Sequence, residues 1–148
     1  MNANDVARGV CRLLTAQGFS PIREFGLANG RRLDVAAIGP DGTILGVEIK
    51  VGLADLRQDG KWPDYLEFCE LFYFAVPPDF PRHEVPGEPG LIVADRYGGA
   101  ILRAAPAQPL HASRRKAVTL RFARAAADRL AGLADRADDA SRSKEPPA

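Results

Sequence analysis

Residues Leu71–Val76 read LFYFAV, and this apolar and aromatic run constrains the fold more than any other feature of the chain. Side chains of a strand alternate between two faces, so both faces of this strand are apolar. Such a strand is typical of the centre of a sheet that is covered on both sides. Pro77, Pro78 and Pro81 end the run. The segment therefore predicts a buried strand in a layered α/β protein.

Apolar residues at helical spacing supply candidates for the covering layers. They predict helices at residues 3–17, 53–69 and 113–136, the second interrupted at residues 59 and 60. Turn residues separate the extended segments, which lie at residues 19–27, 31–38, 43–51, 90–95 and 100–104. The predicted order is helix, three-stranded meander, helix, buried strand, two edge strands, helix. This order indicates an α/β sandwich around a mixed sheet.

The length and the charged end of the chain indicate how this fold is organised. With 148 residues, the chain is long enough for one domain without disulfides or a structural metal. We expect a single domain over residues 1–136, whose last helix is that at 113–136. Residues 137–148 are charged and rich in proline, so we expect a disordered tail there.

Several functional classes are excluded by composition. The two cysteines and two histidines are isolated from one another, which excludes a disulfide framework and a Cys/His zinc site. We expect no membrane span, because no apolar run approaches 18 residues, and no secretory signal at the N-terminus. The expected compartment is the cytoplasm, in association with the nucleoid. Nothing in the sequence indicates an organic cofactor.

The meander carries a constellation of charged residues. Pro40-Asp41-Gly42 suits a three-residue turn with Gly42 in the left-handed conformation, which pairs Gly39 with Thr43. In that register Asp34 lies directly opposite Glu48, and Lys50 shares their face of the sheet. A two-residue turn would put Asp34 behind the sheet and mismatch the apolar faces, so we favour the first register. Leu33, Val35 and Ala37 are expected on the opposite face.

Two facing carboxylates repel each other unless a cation lies between them. Asp34 and Glu48 therefore predict a site for a hard cation, Mg²⁺ or Mn²⁺, and Lys50 would stabilise negative charge on a phosphate. Glu24 is a third candidate ligand. It faces Asp34 if Ala28-Asn29-Gly30 forms a three-residue loop, but not if Asn29-Gly30 is a two-residue turn. The sequence does not decide between these two loop lengths.

Asp34 followed by Glu48-Ile49-Lys50 is similar to the D…(D/E)-x-K core of the PD-(D/E)XK nuclease superfamily. Longer segments resemble the MmcB family of bacterial DNA-repair proteins over about residues 3–105: residues 30–35 (GRRLDV), 47–50 (VEIK), 59–65 (DGKWPDY) and 72–76 (FYFAV). The resemblance implies a restriction-endonuclease-like fold and a role in DNA repair. It also implies that Asp34 and Glu48 bind Mg²⁺ and that Lys50 positions or activates water. Many superfamily members carry a glutamate on the first helix, where this chain offers only Asp5.

Other residues are candidates for contact with nucleic acid. Arg31 and Arg32 flank the proposed metal position, where they would bind phosphates. Lys61 and Tyr65 resemble the Q-x-x-x-Y-like motif of some nucleases, and Trp62 and Tyr65 either stack on bases or anchor a helix to the sheet. Five cations and no acid lie between residues 114 and 124, so phosphate contacts are also assigned to Arg114, Arg115 and Lys116.

These features predict a metal-dependent nuclease-like protein that cleaves DNA in repair, as an endonuclease or an exonuclease. The alternative is a DNA-binding or adaptor module that keeps the nuclease fold without its activity. The first-helix position without a glutamate favours the alternative, and the complete set of Asp34, Glu48 and Lys50 favours the enzyme. The expected partners are DNA and other repair proteins.

Overall fold

The computed structural model describes residues 1–144 and residue 146, which form a six-stranded mixed sheet with helices on both faces. Its helices are α1 (Ala3–Ala16), α2 (Leu53–Gln58) and α3 (Ala112–Ser143), with short 3₁₀ helices at Trp62–Glu67 and Arg82–Glu84. Its strands are β1 (Ser20–Gly26), β2 (Arg32–Ile38), β3 (Ile44–Ile49), β4 (Leu71–Val76), β5 (Gly90–Ala94) and β6 (Gly99–Arg103). This architecture confirms the predicted mixed α/β class with a C-terminal helix.

The strands lie side by side in chain order. Both β3–β4 and β4–β5 are parallel pairs, and the remaining neighbours are antiparallel. The central strand β4 is buried along almost its whole length, as its two apolar faces predict. The interrupted second helix is also observed, because α2 ends at Gln58 and a 3₁₀ helix begins at Trp62, with Pro63 in its first turn.

Each face of the sheet has its own apolar core. Helix α1 packs Val6, Val10 and Leu14 on one face, against residues that include Val35 and Val47. The other face carries an aromatic core beneath the 3₁₀ helix and α3, formed by Phe25, Tyr65, Phe68, Phe72, Phe74 and Phe122. Glu48 lies on this second face, where its Oε2 atom is 3.5 Å from the Tyr65 hydroxyl group.

Helix α1 is capped by Asn2, whose side chain accepts the Asp5 N–H in a capping box. One local expectation is corrected. Leu33 belongs to the aromatic core with Phe25, not to the α1 core with Val35. The β2–β3 pairing ends at Val35 opposite Val47, so β2 is free to turn Leu33 to the other face.

Helix α3 is longer than predicted. It continues to Ser143 instead of ending near 136, so residues 137–143 of the expected disordered tail are helical. Alanines and an Asp138–Arg142 pair at helical spacing favour this extension. Residues 145, 147 and 148 of that tail lie outside the described residues. Within residues 1–144 no helix is both long and apolar enough to cross a membrane.

Gly9 allows α1 to approach the turn between β5 and β6. A β-carbon at this position would lie 1.8 Å from the carbonyl oxygen of Asp95 and 2.6 Å from that of Gly98. We expect Gly9→Ala to lower the free energy of unfolding by about 1–3 kcal/mol, because the helix must move away from the sheet.

Urea denaturation of Gly9→Ala and Gly132→Ala tests this packing. Gly132 lies on α3, where a β-carbon meets only the Arg136 side chain, at 3.4 Å, so alanine there should be neutral or stabilising. Equal stability of the two variants would contradict the close approach of α1 to this turn.

Candidate functional site

The turn between β2 and β3 brings Asp34 next to Glu48. Gly39 N–H donates to Thr43 O at 2.9 Å and Gly42 has a φ of +88°, so the predicted three-residue turn and its register are confirmed. Beyond the last paired residues, the Asp34 carboxylate accepts the Ile49 N–H at 2.7 Å. The side chain of Asp34 thereby replaces a ladder hydrogen bond and is held against β3.

Glu48 is the buried charged residue of this cluster, with 8% of its surface exposed. Burial raises the pKa of its carboxyl group strongly, and the adjacent Asp34 carboxyl raises it further. Its Oε1 atom is buried and has no hydrogen-bond partner among the described residues. A buried carboxylate oxygen without a donor is costly, so this position favours a proton or a cation.

Lys50 lies at the end of β3 and contacts two carboxylates. Its Nζ atom is 3.0 Å from Asp59 Oδ2 and 4.0 Å from Glu48 Oε2. The Lys50 and Asp59 side chains are only 13% and 10% exposed, so solvent screens their attraction little. Asp59 was not predicted as a site residue, because the sequence showed it only as a helix interruption and within the segment 59–65 that resembles the MmcB family.

Tyr65 reaches the same cluster from the 3₁₀ helix. Its hydroxyl group lies 3.2 Å from the Arg32 carbonyl oxygen and 3.5 Å from Glu48 Oε2. Burial and the nearby carboxylates raise the pKa of Tyr65 to about 12. The ring is buried and stacks on Phe72, so it packs in the core and does not offer a face to a base.

The first hairpin adopts the three-residue loop, so the register puts Glu24 at the position opposite Asp34. Leu27 N–H donates to Arg31 O at 2.8 Å, which sets the register that pairs Phe25 with Leu33. Glu24 itself has a φ of 52° and an exposed side chain, whereas Glu48 is buried. The backbone carbonyl of Glu24 accepts the Arg129 guanidinium at 2.7 Å.

The first helix supplies no acid to the site. Its Asp5 caps α1 and lies 3.9 Å from Arg96. Among residues 1–144, no three His, Cys, Asp or Glu side chains form a group that could hold a metal ion. The cluster has two neighbouring carboxylates, Asp34 and Glu48, and Asp59 belongs to it through its ion pair with Lys50. The Tyr65 hydroxyl group lies at its edge.

Two exposed cations lie close to this cluster in the chain. Arg32 and Lys61 are exposed, and Arg32 begins the strand that carries Asp34. Arg31 is less available because its guanidinium binds Asp64 at 2.9 Å. Of the arginines and lysines predicted around the site, Arg32 and Lys61 thus offer the most accessible charge.

The cationic segment of α3 lies near the start of β3, away from the charged cluster at its end. Arg115 binds Glu70 at 2.7 Å and the Gly42 carbonyl oxygen at 3.1 Å, and Arg114 lies 4.5 Å above the Phe68 ring. Gly42 and Glu48 are separated by most of β3, which at about 3.3 Å per residue is roughly 20 Å. These two arginines dock α3 on the sheet, while Lys116 is exposed.

A comparison with protein families finds a match over residues 1–137 to the family described as DNA repair protein MmcB-like. The chain belongs to the MmcB-like family. A solved structure with a TM-score of 0.89 and 43% sequence identity covers 92% of this chain and 93% of its own. That structure is of SPO1766, a protein of unknown function from Silicibacter pomeroyi. No curated protein matches the chain. The description of this family indicates a role in DNA repair.

Proposed function

We propose that this MmcB-like protein is a metal-dependent nuclease of the PD-(D/E)XK type, with a restriction-endonuclease-like fold, that cleaves DNA phosphodiesters during repair. One observation carries the proposal: the unpartnered, buried Glu48 Oε1 in a cluster with Asp34 and Lys50. A buried carboxylate oxygen without a donor is costly, and a bound cation would offset that cost.

The donor set fits Mg²⁺ or Mn²⁺. Asp34 and Glu48 offer carboxylate oxygens, which are the ligands that these cations prefer. Burial first, and the neighbouring carboxylates after it, raise the pKa values of Glu48 and Tyr65. A divalent cation would remove the repulsion between Asp34 and Glu48 and favour their ionised forms.

The residues have distinct roles in this proposal. Asp34 is fixed by the Ile49 N–H and, with Glu48, would hold the cation, which when bound polarises the scissile phosphate. Lys50 stabilises negative charge that develops on the phosphate or orients the attacking water. Asp59 holds the Lys50 ammonium group within the site at 3.0 Å. Arg32 and Lys61 bind the flanking phosphates.

Metal binding is testable without DNA. We expect wild-type protein to bind Mn²⁺ weakly, because a site of two carboxylates leaves most coordination positions to water. Asp34→Asn should lower the affinity at least about tenfold, since it removes one anionic ligand. Isothermal titration calorimetry measures both affinities.

Glu24→Gln is the matched control, because it removes a carboxylate from the neighbouring strand without changing a contact of the cluster. Its Mn²⁺ affinity should equal that of wild type within about twofold. Equal Mn²⁺ binding by wild type and Asp34→Asn would remove Asp34 from the proposed site, and loss of binding in Glu24→Gln would restore Glu24 as a ligand.

A second function, a non-catalytic DNA-binding or adaptor module, is favoured by the Lys50–Asp59 ion pair. That pair already neutralises the lysine that catalysis would require. A panel of duplex, single-stranded, nicked and branched DNA with Mg²⁺ or Mn²⁺ separates the two functions. Salt-sensitive binding without cleavage of any substrate would support the adaptor.

A further inference from the structure

The second half of α3 extends away from the domain without support. The buried residues of this helix are Val118 and Phe122, and Arg129 makes its last contact with the sheet, through the carbonyl oxygens of Arg23 and Glu24. Residues 130–143 follow with no buried side chain. Isolated helices of roughly 12–15 residues are marginal in water, and Gly132 weakens this one further.

An apolar row runs along the solvent face of the same helix. Its members recur at alternating intervals of three and four residues: Leu120, Ala123, Ala127, Leu130, Ala134 and Ala137. We name this row the α3 seam. All of its residues are exposed, Leu120 by 59% and Leu130 by 68%, and Leu133 beside it is exposed by 59%. The alternation of three and four is the spacing of a coiled-coil interface.

The seam lies on the side of α3 that faces away from the sheet. At 3.6 residues per turn, Ala123 and Ala127 are nearly opposite Val118 and Phe122, which are buried against the domain. A second helix can therefore cover the seam without displacing the core. The alanines allow the two backbones to approach closely, and the leucines supply the larger apolar contacts.

The charges beside the seam identify the occupant as another α3 helix. One flank is basic at Arg121 and Arg124 and acidic further along at Asp135 and Asp138. An antiparallel pair that places Ala127 against Leu130 of the other helix brings Arg121 beside Asp138 and Arg124 beside Asp135. The twofold symmetry repeats both contacts. A parallel pair would instead place the two basic segments side by side.

We propose that α3 pairs with α3 of a second copy of this chain, in antiparallel orientation, through the α3 seam. The inference is independent of the proposed nuclease function. Residues 120–137 span only about 27 Å of helix, which places the contact at the small end of specific interfaces. We therefore expect a weak dimer that dissociates on dilution.

Sedimentation velocity over a range of concentrations from about 1 to 500 µM tests the dimer. Leu130→Glu should raise the dissociation constant at least about tenfold, because each copy buries this leucine at the interface. Leu102→Glu is the matched control, since Leu102 is 47% exposed on β6, away from α3, and should leave the dissociation constant unchanged. Circular dichroism verifies that both variants are folded.

A charge exchange tests the orientation. Arg124→Glu and Asp135→Arg should each weaken the dimer, and the double variant should recover wild-type affinity within about threefold. The two positions are about 16 Å apart along one helix, so rescue requires contact between copies.

Three results would overturn the proposal: a monomer at every concentration, a dimer that Leu130→Glu leaves intact, or a double variant no stronger than the single ones. The first two exclude the α3 seam as the interface, and the third excludes the antiparallel alignment.

Discussion

Replacing Lys50 with alanine should strongly slow metal-dependent DNA cleavage and leave DNA affinity nearly unchanged. The Lys50 ammonium group is the cation inside the carboxylate cluster, 3.0 Å from Asp59 and 4.0 Å from Glu48. Removal of a preorganised group that stabilises developing charge typically lowers the rate by about 10²–10³-fold. DNA affinity should change by less than about threefold, since Arg32 and Lys61 remain exposed for phosphate contacts.

Single-turnover cleavage with Mn²⁺ measures the rate, and fluorescence anisotropy measures DNA binding. Lys144→Ala is the matched control, because it removes the same charge from an exposed position at the end of α3. Full cleavage by Lys50→Ala would exclude Lys50 from catalysis. An equal loss of cleavage rate and DNA affinity would instead indicate that Lys50 contributes to DNA binding.

The register of the site could be predicted because a local turn determines it. Pro40-Asp41-Gly42 requires one residue with positive φ, and Gly42 provides it at +88°. Once that turn closes, the antiparallel pairing places Ala36 opposite Gly46 and continues toward Asp34 and Glu48. Strand alternation then puts Glu48 on the aromatic face, whereas a one-residue slip would have moved it to the α1 face.

Asp59 and Glu24 could not be placed by the same reasoning. Asp59 meets Lys50 only because the chain from α2 to the 3₁₀ helix folds back over the sheet, and no strand or helix period encodes that path. Glu24 adopts a positive φ of 52°, which is unfavourable for a residue with a β-carbon and breaks the simple alternation of β1. Tertiary contacts, including the bond from Arg129, accompany that local conformation.

In α3, the sequence does not show which apolar residues face the domain and which face solvent. Apolar spacing predicted a helix there, but the spacing alone does not separate residues that face the domain from those that face outward. Val118 and Phe122 are buried, whereas Leu120, Leu130 and Leu133 are exposed. The cationic residues Arg114 and Arg115 likewise resemble a phosphate-binding surface in the sequence, yet they contact Phe68 and Glu70.

Glu48→Gln should stabilise the metal-free protein by about 1–3 kcal/mol at pH 8. Burial and the neighbouring Asp34 raise the pKa of Glu48 from 4.5 to about 9. The folded state therefore holds a proton on Glu48 in a pH range where the unfolded state has lost it. Glutamine occupies the same space and remains neutral at every pH.

The sign of the pH dependence follows from proton linkage. A raised folded-state pKa contributes stability that is fully present below pH 4.5 and is lost as the pH rises toward about 9. Wild-type protein should thus lose stability across this window relative to Glu48→Gln. Below about pH 4.5 the two proteins should converge, because Glu48 is then protonated in both the folded and the unfolded state.

Urea denaturation at several pH values, at one protein concentration and with a chelator present, measures this difference. Addition of Mg²⁺ or Mn²⁺ should stabilise wild type and have little effect on Glu48→Gln, since a cation that binds only the folded state stabilises it by mass action. A parallel pH profile for both proteins would show that the Glu48 carboxyl group titrates normally in the fold. A variant less stable than wild type at pH 8 would show that the buried glutamate is ionised and well paired, which would remove the main argument for a cation at this position.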